Sequence, residues 1–205
     1  MSYVLWALIG YLAGSCPTGY VVVKLVRGAD IRNYGSGNIG ATNVGRVMGK
    51  KWAVVVSVFD MLKGGLAVLA AWALGANHVT MALTGVCAVL GHDFPVWLKF
   101  KGGKGVSTTF GVLAFFDFFN PWVALLGGII WYGVMRYTLY VSVASMLSLT
   151  AAAVLTYFFG MDPAYTVATA FLAALTIWRH RENIRRLVHG AESKVKSYGP
   201  KKRRY

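Results

Sequence analysis

The sequence predicts an all-α bundle of membrane-crossing helices, a polytopic integral membrane protein, and three observations carry that prediction. Hydrophobic residues make up 57% of the 205-residue chain and mean hydropathy is +0.55, more apolar side chain than a domain of this size hides in its own core. The apolar residues fall into long runs parted by short polar or turn-rich stretches. The cations are segregated as well: Lys and Arg number 21 against 7 Asp and Glu, and every Lys and Arg except Lys63 lies outside the apolar runs.

A helix crosses the hydrocarbon of a bilayer with about 20 apolar residues. Tyr3 to Val23, Trp52 to Leu74 and Leu139 to Phe159 reach that length, and Val79 to Leu98 is a fourth run that carries His92, Asp93 and Pro95 near its end. Val106 to Phe119, Trp122 to Met135 and Ala164 to Trp178 are shorter, as tilted, short or re-entrant segments are. Turn signals at Gly75-Ala76-Asn77, Asn120-Pro121 and Asp162-Pro163 separate the runs. Seven transmembrane helices is the predicted count; a re-entrant pair around Asn120-Pro121 lowers it to five and leaves every other segment on its side. Residues 1–205 read as a single membrane domain with a basic tail from about residue 190. The first run lacks the charged start and small-residue cleavage site of a signal peptide and reads as a retained first helix.

Seven crossings put Lys24 to Lys51, Lys99 to Lys104, Arg136 and Arg179 to Tyr205 on one face. By the positive-inside rule that face is cytoplasmic, with the N-terminus outside and the C-terminus inside. The same asymmetry accounts for a net charge of +14 without nucleic acid as a partner, and it lays Lys201-Lys202-Arg203-Arg204 on anionic headgroups. Cys16 and Cys87 sit in apolar runs with no Cys or His at ligand spacing, so neither a disulfide framework nor a zinc site is encoded.

Three polar blocks fall on the basic face. In the first, Gly35-Ser36-Gly37-Asn38-Ile39-Gly40-Ala41-Thr42-Asn43 precedes Arg46. Its glycines let backbone N–H groups approach an anion, Ser36, Asn38, Thr42 and Asn43 add donors, and Arg46 adds a planar charged fork. Gly35 to Gly40 fits G-x-G-x-x-G literally, but no buried strand precedes it, so a dinucleotide fold is not indicated. The second block is Gly91-His92-Asp93-Phe94-Pro95 followed by Phe100-Lys101-Gly102-Gly103-Lys104-Gly105. Glycines around Lys104 just before a helix restarts aim N–H groups and a positive helix end at an anion, without the spacing of a Walker loop. His92 reads equally as a ligand or as a satisfied interfacial histidine. In the third, Arg179-His180-Arg181-Glu182-Asn183 continues to Gly190 and Glu192. His180 and Asn183, one helical turn apart, share a face. Within the second run Asp60 and Lys63, at i and i+3, read as a structural pair. Ser142, Ser145 and Ser148 form a packing stripe whose cytoplasmic end, Ser142, is placed to reach a substrate.

In order, length and hydropathy, these blocks resemble the signature blocks of the PlsY acyltransferases over nearly the whole chain. The resemblance implies transfer of a fatty acyl group from acyl phosphate to the 1-hydroxyl of glycerol 3-phosphate, giving lysophosphatidic acid and phosphate. It implies a multi-pass protein of the bacterial inner membrane with a cytoplasmic site, using no metal or cofactor. Carried over, Ser36, Lys104, His180 and Asn183 are the catalytic candidates. Arg46, Gly37, Asn38, Thr42, Asn43, His92, Gly102, Gly103 and Ser142 are the binding candidates, and Glu192 is structural. Acyl phosphate is an activated mixed anhydride, so positioning and charge stabilisation suffice for its reaction. The Gly102 and Gly103 amides or Asn183 are candidate oxyanion donors, and His180 or a substrate phosphate oxygen is the candidate base.

Overall fold

The structure, a computed structural model, describes residues 2–117 and 121–195, and among these residues all regular structure is helical. The helices are α1 (Tyr3–Gly14), α2 (Thr18–Arg27), α3 (Ala41–Met48), α4 (Lys50–Ala73), α5 (His78–Asp93), α6 (Val106–Phe116), α7 (Trp122–Thr138), α8 (Val141–Phe158), α9 (Pro163–Arg179) and α10 (Arg181–Val188). Among the described residues, four stretches are by length and composition sufficient to cross a membrane: Tyr3–Arg27, Lys50–Ala73, His78–Leu98 and Val141–Phe158. The predicted ends at Phe119 and Asn120, and the Lys201-Lys202-Arg203-Arg204 run, lie outside the described residues.

Three departures from the sequence reading have local causes. The first predicted helix breaks between Gly14 and Thr18, because Pro17 has no N–H to continue the ladder and disfavours a helical residue before it. The run predicted from Leu139 starts at Val141, since Leu139 takes a left-handed conformation (φ 64°) that closes α7. The end of the glycine-rich block winds into α3 from Ala41, a short helix outside the predicted membrane runs.

Small residues set the packing. A Cβ on Gly14 would lie 1.8 Å from the carbonyl oxygen of Ala88, and one on Gly91 would lie 2.1 Å from that of Tyr11, so α1 and α5 touch backbone to backbone. Gly111 does the same for α6 against Met61 of α4. Close approach through small residues is how helices associate where lipid removes the hydrophobic drive. Leu8, Leu62, Leu66, Ile129, Leu147 and Val167 are exposed on the outside of the bundle, an apolar coat that water would not tolerate over such an area. One buried cluster, with Trp6, Met81, Phe116, Leu149 and Tyr165, fills the bundle. A second, with Val23, Ile31, Ile39, Val44, Val56 and Leu98, lies under the first polar block.

The helix ends form two groups. At one, the Asn77 amide donates to the Tyr3 hydroxyl at 3.3 Å, and His78 meets Asp162 at 2.6 Å. Asn77 and Asp162 also cap α5 and α9 by accepting from Thr80 and Ala164 N–H groups. At the other, all three polar blocks meet.

Candidate active site

Gly35 and Gly37 take positive φ of 60° and 71°, a region that glycine enters without steric cost. Their turn is held from within. The Oδ1 of Asn43 accepts from Ser36 N–H at 2.8 Å, and its amide nitrogen donates to the carbonyls of Tyr34 (2.9 Å) and Asn38 (2.8 Å). The Oδ1 of Asn38 accepts from Gly40 N–H, while its amide donates to the Gly102 carbonyl at 3.1 Å. Asn43 and Asn38, expected to bind substrate, therefore brace the loop and join it to the second block. Ser36 and Gly37 remain exposed, and Thr42 is half-buried.

The second block forms a tight turn between α5 and α6. The Tyr11 hydroxyl donates to Phe94 carbonyl at 2.8 Å, and the Trp97 indole donates to Ser15 at 2.9 Å. Gly102 N–H donates to the Asp93 carbonyl (3.2 Å) and Gly103 N–H to that of His92 (3.0 Å). The expectation that these two amides face an anion is corrected by those bonds. The glycines are required instead by close approach: a Cβ on Gly102 would lie 2.3 Å from His92 carbonyl oxygen, and one on Gly103 1.9 Å from His92 Nε2. His92 is buried beneath the turn. Its Nδ1 lies 2.9 Å from Lys63 Nζ and 3.5 Å from Asp60, so its expected role as a substrate ligand gives way to an internal one.

The third block closes over Lys104. The Lys104 ammonium donates to Asn183 Oδ1, the Asn183 amide nitrogen donates to Glu192 at 2.6 Å, and Glu192 also accepts from Arg186 at 2.7 Å and from Ser142 at 3.0 Å. Ser142, read as a substrate contact, gives its proton to Glu192 and ties α8 to the chain beyond α10. The amide nitrogen of Asn183, one of the expected oxyanion donors, commits one of its two N–H groups to Glu192. Burial alone would raise the Glu192 carboxyl, but hydrogen bonds from Asn183, Arg186 and Ser142 hold it below the usual range. Burial, with the charges of Arg186, Arg179 and Arg46 around it, pushes Lys104 down to about 8 against the opposing pull of Glu192. Arg46, on α3, thus belongs to the same cationic cluster.

His180 sits at the break between α9 and α10, buried, with Nδ1 donating to Thr176 carbonyl at 2.8 Å. That bond leaves Nε2 as the lone-pair nitrogen. Burial and the neighbouring Lys104 charge push its pKa down to about 4, so it is neutral at physiological pH. Asp30 is engaged by Arg32 at 2.7 Å, whose hydrogen bond holds the carboxyl below its usual range. Arg179 escaped the sequence reading as an individual residue. It donates to the carbonyls of Gly103 (2.5 Å) and Asp93 (3.3 Å) and lies 3.5 Å from the Asp93 carboxylate. Its only sequence signal was a place in a basic run.

An apolar helix bundle with cations and loop backbone gathered at one end defines an integral membrane protein with a polar site at its surface. Residues 4–190 match the glycerol-3-phosphate acyltransferase family. The chain is 47% identical over 197 residues to a glycerol-3-phosphate acyltransferase of Thermus thermophilus, covering 95% of this chain and 96% of that one. It is 43% identical over 190 residues to one of Aquifex aeolicus, covering 90% and 95%. Its fold is similar to the crystal structure of PlsY, an integral membrane glycerol 3-phosphate acyltransferase, in its glycerol 3-phosphate form, with a TM-score of 0.89, 40% identity and coverage of 95% and 96%. The lysophosphatidic acid form of PlsY gives 0.85 and 38%, covering 95% of each chain. The chain belongs to the glycerol-3-phosphate acyltransferase family and is an integral membrane acyltransferase.

Proposed function

We propose that the protein transfers a fatty acyl group from acyl phosphate to the 1-hydroxyl of glycerol 3-phosphate, forming lysophosphatidic acid and inorganic phosphate at the cytoplasmic face of the bacterial inner membrane. The observation that carries this reading is the meeting of Lys104, Arg46, His180 and Asn183 from three distant blocks at one end of the bundle. Two anionic reactants repel, and a shared cationic cluster offsets that repulsion. Seven crossings with the N-terminus outside accord with the alternation of helix ends and with the segregation of Lys and Arg.

In the reaction the glycerol hydroxyl oxygen attacks the acyl carbonyl carbon, the bond from that carbon to the phosphate oxygen breaks, and phosphate leaves. Lys104 gives one N–H to Asn183 and keeps two for substrate oxygens. Arg46 and the exposed Ser36 hydroxyl complete the anion site, with Thr42 and Gly37 at its rim. Since the Gly102 and Gly103 amides are committed elsewhere and Asn183 gives an N–H to Glu192, the carbonyl oxyanion is met by Lys104 and by the first-turn N–H groups of α6, which have no partners within the helix. His180 Nε2 accepts a hydrogen bond from the hydroxyl and orients it. With a pKa pushed down to about 4 it is a weak base, so the proton goes to an oxygen of the departing phosphate, which leaves as a more basic dianion. The acyl tail reaches the site from lipid, between helices.

Purified protein is incubated with radiolabelled glycerol 3-phosphate and either acyl phosphate or acyl-CoA, and lipid is extracted. Label in lysophosphatidic acid with acyl phosphate alone is the expected result; label only with acyl-CoA would overturn the donor assignment.

A further inference from the structure

A buried charged cluster lies beneath the turn of the second block. On α4, Lys63 Nζ is 2.7 Å from Asp60 Oδ1, 2.8 Å from the Cys16 carbonyl oxygen and 2.9 Å from His92 Nδ1. The Cys16 carbonyl, which also accepts from Thr18 N–H at 3.0 Å, meets Lys63 where the chain breaks helix at Pro17. The Lys63 and Asp60 side chains are only 10% and 3% exposed. An ammonium has donors only, so His92 Nδ1 is the acceptor and Nε2 bears the proton. The ring is thereby fixed in both tautomer and orientation. Its Nε2 edge is the surface on which Gly103 rests, so closely that no Cβ fits between them. Gly103 N–H bonds the His92 carbonyl, the Gly103 carbonyl is held by Arg179, and the next residue is Lys104.

Stability is a poor reason for this arrangement. Ionisable side chains within a membrane are costly, and a buried ion pair is commonly replaced by apolar residues without loss. We propose that Asp60, Lys63 and His92 form a buried positioning network, which sets the turn at Gly103 and so aims the Lys104 ammonium at the substrate phosphate. None of the three touches substrate. The inference rests on the role given to Lys104 above.

The test uses full-length Lys63→Met, Asp60→Asn and the apolar double replacement Asp60→Leu with Lys63→Met, alongside Lys104→Met, with folding followed by size exclusion and Tm in detergent. The network predicts that folded Lys63→Met and Asp60→Asn lose kcat by on the order of 10- to 100-fold, the scale of a small misplacement of a catalytic group. It also predicts that the double replacement regains Tm without regaining kcat. Wild-type kcat in either folded single variant, or recovery of kcat together with Tm in the double, would overturn it, as would failure of all three to fold. An inactive Lys104→Met beside a normal Lys63→Met sinks this inference alone. A normal Lys104→Met removes the reading on which it rests.

Discussion

Asn183 turns its carbonyl oxygen to the Lys104 ammonium because its amide nitrogen is held by Glu192. An amide is nearly symmetric in shape, and the carboxylate decides which end faces the lysine. Glu192→Ala should let the amide rotate and leave Arg186 without its carboxylate. Stability should fall by about 3 kcal/mol, the scale for breaking a buried charged network, and kcat/KM by 10-fold or more. Both are read from Tm and initial rates on the same preparation.

In the proposed function Lys104 acts as a cation, so activity should decline as pH rises through its lowered pKa of about 8. The sign follows from the ammonium being present below that pH and lost above it. A bound phosphate favours the charged form, so the alkaline limb of kcat should lie at higher pH than that of kcat/KM, which reports the free enzyme. Coincident limbs at pH 10 or above would contradict the assignment.

His180, with a pKa pushed to about 4, stays predominantly neutral between pH 8 and pH 5. Any acid limb in that window should therefore belong to substrate phosphate. His180→Gln should slow turnover by about 10-fold or more, short of the loss of up to about 10⁴ seen when a true general base is removed. It should also leave the acid limb in place. A limb that disappears in the variant would make His180 the base.

Gly103→Ala should be far more damaging than an average glycine replacement. Its Cβ would sit 1.9 Å from His92 Nε2, and the ring is pinned by Lys63 and cannot yield. Overpacking of this kind costs about 1–3 kcal/mol, with turnover falling further because Lys104 follows directly.

Much of the fold was legible because lipid leaves a strong mark on composition. Apolar runs, turn signals such as Asp162-Pro163 and segregated cations locate the helices with no knowledge of their contacts. The polar blocks were legible as places. The duties of individual residues were not, because Asn, Gly and Ser serve loop bracing and ligand binding equally well. Asn43 and Asn38 brace, Ser142 serves Glu192, and Gly102 and Gly103 answer to the bulk of His92. Those choices depend on partners far away in sequence: Arg179 meets Gly103 across 76 residues and Lys104 meets Asn183 across 79. The break before Pro17 was locally encoded, yet a continuous apolar run hid it. Its use, bringing a carbonyl to Lys63, needed the third dimension.

In the proposed function Lys104 and Arg46 hold two anions together at the bundle end. The most direct measurement is lysophosphatidic acid formation by purified, folded Lys104→Met and Arg46→Ala at saturating glycerol 3-phosphate and acyl phosphate. Each should lose most of its turnover, by about 100-fold or more for Lys104→Met, the scale for removing one preorganised charge-stabilising group. Near-normal turnover in both would contradict it.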